Sequence, residues 1–150
     1  MKASEFMTKD VITLSSDKTV EEAAKVMLEK DISALPIVDS EFHLIGIITE
    51  SDFVGKEANI PHALASIKRL LGQIFYFDNV ETIFLNAKLM PLEKIMTKSP
   101  KTVQPDFTLT DIVNMMIRFN LKRIPVVDNK KLVGIITRKD ILKAFTMIRS

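Results

Sequence analysis

Two four-residue elements, Thr49-Glu50-Ser51-Asp52 and Thr137-Arg138-Lys139-Asp140, set a hydroxyl and a carboxylate three residues apart, each directly after Gly-Ile-Ile. Two kinds of chemistry use that spacing. In a capping box, a threonine at a helix start accepts from a first-turn amide while the acid three residues on reaches back to the threonine's own amide. In a ligand-holding turn, the same helix end offers free amides and the positive end of its dipole to a phosphate, and the carboxylate accepts from two hydroxyl groups. The residues alone leave both readings open.

Little else in the chain is equipped for catalysis. Its two histidines, His43 in an expected turn and His62 after Pro61, stand outside any His-x-x-His or nucleophile-elbow context, and both are expected at the surface. Four glycines supply no phosphate-binding glycine loop, and neither Thr49 nor Thr137 has an evident general base. No catalytic residue and no metal ligand is assigned, and the chain is not expected to be an enzyme.

The two elements belong to a longer internal repeat. Met7-Thr8-Lys9 recurs as Met96-Thr97-Lys98 at an offset of 89, and the match runs on through Thr13 and Thr102, Asp17 and Asp106, Thr19 and Thr108, and Met27 and Met116. Leu35-Pro36-Ile37-Val38-Asp39 then meets Ile124-Pro125-Val126-Val127-Asp128. One extra residue in the polar stretch Ser40 to His43 shifts the offset to 88, which aligns Leu44 to Thr49 with Leu132 to Thr137.

Each copy predicts the same elements. Thr19-Val20-Glu21-Glu22 and Thr108-Leu109-Thr110-Asp111 read as N-caps. They precede helices whose apolar stripes are Val20, Ala23, Ala24, Met27 and Leu28 in one copy and Leu109, Ile112, Val113, Met116 and Ile117 in the other. Two short β-branched runs follow as a hairpin, Leu35 to Val38 with Leu44 to Thr49, and Ile124 to Val127 with Leu132 to Thr137. Pro36 and Pro125 are expected to open their strands, where a missing amide does least harm. A second helix begins at each Thr-x-x-Asp, and a weak leading strand is expected around Val11 to Leu14 and Lys101 to Val103. The fold class is therefore α/β (α+β), with two strand-helix-strand-strand-helix repeats. Each repeat leaves an apolar sheet face to cover, so the copies are expected to pack as a pseudo-twofold with a cleft between them.

Residues 55–94 belong to neither copy. Leu64, Ile67, Leu70, Leu71 and Ile74 predict one amphipathic helix, and Asp78-Asn79-Val80-Glu81 caps another that carries Val80, Ile83, Phe84 and Ala87. Phe75-Tyr76-Phe77, between those helices, is expected to be buried, and Met115 and Met116 with Phe119 are expected in the core.

Bulk properties agree with a globular chain. A 47% hydrophobic and 27% charged composition over 150 residues excludes disorder and fibrous repeats, and such a length buries roughly two thirds of the unfolded surface without cross-links. There is no cysteine for a disulfide or thiolate site, which fits a reducing cytosol, and no signal peptide or membrane helix is expected. A net charge of +2 without a stacking aromatic platform does not point to nucleic acid. The expected location is cytoplasmic.

Leu-Pro-Ile-Val-Asp followed by Gly-Ile-Ile-Thr-x-x-Asp, written twice in the order strand-helix-strand-strand-helix, resembles a tandem pair of CBS (cystathionine β-synthase) domains of the stand-alone type. The resemblance covers 6–54 as repeat 1 and 95–145 as repeat 2, with 55–94 as a helical insert in a single module of 1–150. It implies a non-catalytic regulatory module, with no required cofactor, that binds an adenosine-containing ligand such as AMP, ADP, ATP, S-adenosylmethionine or a cyclic dinucleotide. It also implies a homodimer that acts on a separate effector protein, or, as the alternative, a ligand-free dimerisation scaffold.

Carried over from the family, the Asp of each element binds ribose hydroxyls and the Thr helps hold phosphate. One implied site, site A, takes Thr137, Asp140, Arg123, Lys122 and Ile135 with Asp10, Ile12, Ile32 and Ser33. The other, site B, takes Thr49, Asp52, Ile47, Ser33 and Ala34 with Ser99, Lys101, Leu121 and Lys122. Arg123 stands where the first copy has Ala34, and a guanidinium alone offers a phosphate a bidentate partner, so site A is expected to be the stronger nucleotide site unless Arg123 is a solvated surface charge.

Overall fold

The structure, a computed structural model, describes residues 1–54 and 80–149. The expected helix through Leu64 to Ile74, the Asp78-Asn79 cap, the Phe75-Tyr76-Phe77 cluster and His62 lie outside the described residues. Among the described residues no helix is long and apolar enough to cross a membrane.

The chain forms α1 (Ala3–Phe6), β1 (Leu14–Ser15), α2 (Val20–Glu29), β2 (Ala34–Val38), β3 (Leu44–Thr49), α3 (Ser51–Val54), α4 (Val80–Ala87), a 3₁₀ turn (Leu92–Lys94), β4 (Thr97–Lys98), α5 (Leu109–Arg118), β5 (Arg123–Asp128), β6 (Lys131–Thr137) and α6 (Arg138–Met147). The cap signals act where their residue types require. The Thr19 amide donates to Glu22 Oε2 at 2.8 Å, and the Asp111 amide donates to Thr108 Oγ1 at 3.1 Å, which satisfies donors the helix cannot use internally.

These elements form two compact units. One holds 13–39, 45–54 and 80–98 among the described residues, and its sheet runs β1-β2-β3-β4. In it β1 is parallel to β2 (Leu14 opposite Ile37), and β4 is antiparallel to β3 (Gly46 opposite Lys98, Ile47 opposite Thr97). All five residues of β2 are buried, as a strand covered on both faces must be, and Leu35, Ile37, Ile48, Leu92 and Ile95 form the driest part of the core.

The other unit holds 1–12, 40–44 and 99–149. Its centre is the β5–β6 hairpin, paired from Arg123 opposite Thr137 to Asp128 opposite Lys131 and closed by Asn129 and Lys130, both at positive φ as a two-residue primed turn requires. Val103 bridges Val126 in parallel and Thr8 bridges Ile135 antiparallel, which repeats the strand layout of the first unit. Its core gathers Ala3, Phe6, Val103, Ile112, Ile124, Val126, Ile136 and Ala144.

The units are not coextensive with the repeats, because the leading segments are exchanged. Met7-Thr8, which opens the first copy, docks on β6 of the second; Met96-Thr97, which opens the second, docks on β3 of the first. The docking explains the glycine of each Gly-Ile-Ile. A Cβ on Gly134 would lie 2.5 Å from Met7 Sδ and 3.0 Å from the Thr8 carbonyl oxygen, and one on Gly46 would overlap Met96 Sδ and lie 3.1 Å from the Thr97 oxygen.

Some details differ from the sequence reading. Pro36 and Pro125 sit third in their strands, not first. At Pro125 the reason is visible: the parallel bridge uses the Pro125 carbonyl (Val103 amide, 3.1 Å) and the Val127 amide (to Val103 oxygen, 2.9 Å), so no ladder bond asks Pro125 for a donor. The stripe residues Leu28 and Ile117, equivalent in the two copies, are 83% and 74% exposed, because the sheet covers only the inner part of each stripe. Met115 and Met116 pack at the core's edge as expected, whereas Phe119 is exposed beneath Lys101, whose Nζ lies 3.9 Å from the ring centroid.

Replacing Gly134 with Ala is expected to lower stability by about 1–3 kcal/mol, since Met7 must leave its rotamer and the Thr8 backbone must shift. Urea unfolding measures this, with a lower midpoint at unchanged slope as the expected result.

Candidate functional site

Thr137 ends β6 and caps α6, and Asp140 follows in the first helical turn. The Thr137 amide donates to Asp140 Oδ2 at 2.8 Å, and the Thr137 hydroxyl donates to the same oxygen at 3.0 Å. Oδ1 accepts from the Thr8 hydroxyl at 2.8 Å. The carboxylate is only 5% exposed, yet three donors meet it, which is how a buried charge is tolerated. Two carboxylate oxygens offer about four acceptor positions, so capping and docking leave one for a further hydroxyl.

In the first copy Asp52, 6% exposed, accepts from the Thr49 amide at 2.8 Å through Oδ2. There the Thr49 hydroxyl pairs with Ser51 Oγ at 2.7 Å. Lys139 occupies the position equivalent to Ser51 and has no hydroxyl to offer, so the Thr137 side chain turns to Asp140 instead.

Around Asp140 one unit gathers most residues of site A. Arg123 lies directly opposite Thr137 in the hairpin, so the two share a sheet face with Cβ atoms about 5 Å apart. Lys122 precedes it and is exposed, and Ile135 is buried two residues before Thr137. Asp10, exposed, and Ile12, half-buried, continue the segment anchored at Thr8, while Ile32 and Ser33 belong to the other unit.

For site B, Thr49, Asp52, Ile47, Ser33 and Ala34 share one unit, and the Ser33 carbonyl accepts from the Glu50 amide at 3.0 Å, which ties the hairpin's entry to its exit. Ser99, Lys101, Leu121 and Lys122 belong to the other unit. Among the described residues no cluster of three or more His, Asp or Glu is arranged to hold a metal ion.

Three residues beside Asp140 lie outside the expected site residues. Thr8 reaches Asp140 across the exchanged segment, and its signal was the repeated Met-Thr-Lys. Arg138 and Lys139 add two exposed cations to the first turn of α6, where the first copy has Glu50 and Ser51. Comparing TESD with TRKD is enough to see it.

A family model of the CBS domain matches residues 3–59 and 92–146. The chain belongs to the CBS domain family. Inosine-5'-monophosphate dehydrogenase of Methanocaldococcus jannaschii is 34% identical over 95% of this CBS pair, which spans 23% of the dehydrogenase's length. Among solved structures, the CBS domain of a CBS domain-containing membrane protein from Sphaerobacter thermophilus is 35% identical, with 95% of this chain and 86% of that one covered and a TM-score of 0.68. The CBS domain pair of protein MJ0100, solved in complex with 5'-methylthioadenosine and S-adenosyl-L-methionine, is 29% identical, with 97% of that chain and 98% of this one covered and a TM-score of 0.67.

Removing the carboxylate in Asp140→Ala strands the Thr137 amide and the Thr8 hydroxyl at once. Urea unfolding of the ligand-free chain is expected to show a loss of about 1–3 kcal/mol.

Proposed function

We propose that the CBS pair is a non-catalytic, cytoplasmic regulatory module that binds an adenosine-containing ligand at Asp140, with AMP, ADP, ATP and S-adenosylmethionine as the candidate class. The observation that carries this reading is the convergence of a helix N-terminus, the Asp140 carboxylate and a guanidinium-bearing residue, Arg123, opposite Thr137 on the adjoining strand. The MJ0100 pair, similar over nearly its whole length, is a complex with two adenosyl compounds. In this assignment Asp140 accepts a ribose hydroxyl, the α6 amides and Thr137 meet phosphate, Arg123 and Lys122 neutralise it, and Ile135 and Ile12 offer apolar surface to the base.

The charges rank the two copies. Lys122, Arg123, Arg138 and Lys139 surround the second element, where the first has Ser33, Ala34, Glu50 and Ser51. Cations in a first helical turn oppose the helix dipole at a cost of about 0.3–1 kcal/mol each, a cost that a bound anion offsets. The Asp140 site is accordingly the one for a phosphate-bearing nucleotide, and the Asp52 site is weaker for it.

A second reading, a dimerisation scaffold for a separate effector, is favoured by the exposed apolar residues Leu28, Ile117, Leu142 and Phe145 on α2, α5 and α6. A homodimer is compatible with both readings.

Thermal unfolding with AMP, ADP, ATP and S-adenosylmethionine separates them. A ligand at 100 times its dissociation constant is expected to add about 2.7 kcal/mol of stability, abolished in Asp140→Ala and largely kept in Asp52→Ala. No shift with any of the four leaves the scaffold reading, and loss in Asp52→Ala alone reverses the order of the sites.

A further inference from the structure

The Thr8 hydroxyl has a role that neither capping nor the ligand assignment absorbs. Thr8 comes from the first copy, 132 residues from Asp140 in sequence, yet its Oγ1 donates to Asp140 Oδ1 at 2.8 Å. Its backbone is pinned in place: the Thr8 amide donates to the Ile135 carbonyl and the Ile135 amide to the Thr8 carbonyl, both at 2.9 Å, while Met7 covers Gly134. The other carboxylate oxygen is held by the Thr137 amide and hydroxyl. With donors on both oxygens, the carboxylate plane is fixed and its remaining acceptor position faces a set direction. Without Thr8, Oδ2 stays anchored but Oδ1 is released to turn about that anchor.

We infer that Thr8 is a positioning residue for the Asp140 ligand site, and that the docked leading segment and ligand occupancy stabilise each other through this shared carboxylate. The inference rests on the adenosyl-binding reading above. It adds a consequence that a cap alone lacks: if docking raises ligand affinity, ligand must strengthen docking by the same factor. The segment from Met1 to Ile12 then becomes the part of the chain that reports an occupied site.

The test uses the full chain and two variants. Thr8→Val keeps the branched shape and removes the donor, and Thr8→Ser keeps the donor. Calorimetric titration with AMP, ADP, ATP and S-adenosylmethionine is expected to show about ten- to hundredfold weaker binding in Thr8→Val, the size of one hydrogen bond to a charged group, and near-native binding in Thr8→Ser. Hydrogen exchange at the Thr8 and Ile135 amides is expected to slow on ligand addition in the native chain and in Thr8→Ser, and to stay unchanged in Thr8→Val. Native-like affinity in Thr8→Val, or equal weakening in both variants, overturns the inference while leaving the adenosyl reading intact. A native chain that binds none of the four ligands overturns that reading, and this inference falls with it. Should Thr8→Val fail to fold, absence of ligand-dependent protection at Thr8 and Ile135 in the native chain is sufficient to reject the coupling.

Discussion

The structure turns on a buried carboxylate that must be met by donors. An ionised acid withdrawn from water destabilises a fold by several kcal/mol unless donors meet it. Asp140 is met by a threonine amide and hydroxyl from its own helix cap and by a threonine hydroxyl from a distant segment. The first two bonds are local and decide where α6 starts. The third is long-range and decides which segment lies along the hairpin edge. One acid thus specifies both a helix boundary and a tertiary contact, so its position is constrained before any ligand is considered.

The glycine ahead of it completes that constraint. For a hydroxyl at Thr8 to reach Oδ1, the Met7-Thr8 backbone must run against β6, and only a residue without Cβ leaves room for the methionine that comes with it. Gly46 and Met96 repeat the arrangement in the first copy. The recurring Met-Thr and the recurring Gly-Ile-Ile are therefore two halves of one docking device, distant in sequence in both copies, and at Asp140 the threonine hydroxyl joins it. Each copy's hairpin is edged by the other copy's leading segment, which makes the exchange part of the fold's connectivity.

This exchange marks the limit of what the sequence makes legible. The N-caps at Thr19 and Thr108, the two hairpins and the helix starts at Thr49 and Thr137 follow from local residue types, whereas β4 and the short extent of the leading strands do not. A repeat, however, offers Met7-Thr8 two equivalent glycine strands, and nothing local distinguishes docking on its own copy from docking on the other. Periodicity likewise assigned Leu28 and Ile117 to buried stripes, because helical spacing specifies a direction around the axis and not how far the covering sheet extends. Pro125 sits inside its strand for a related reason: its tolerance depends on which donors the neighbouring segment calls on, and that is a tertiary fact.

For the candidate site, the same comparison separates folding from binding. Thr and Asp occur in both copies, and capping and docking account for them without a ligand. The cations do not share that explanation. Arg123, Arg138 and Lys139 have Ala34, Glu50 and Ser51 as equivalents, and the first copy folds into the same layout with those residues in their place. Arg138 and Lys139 even oppose the dipole of α6, which is the kind of difference that the proposed anionic ligand would offset. The repeat reveals the architecture through its agreements, and its differences are what the proposed ligand assignment rests on.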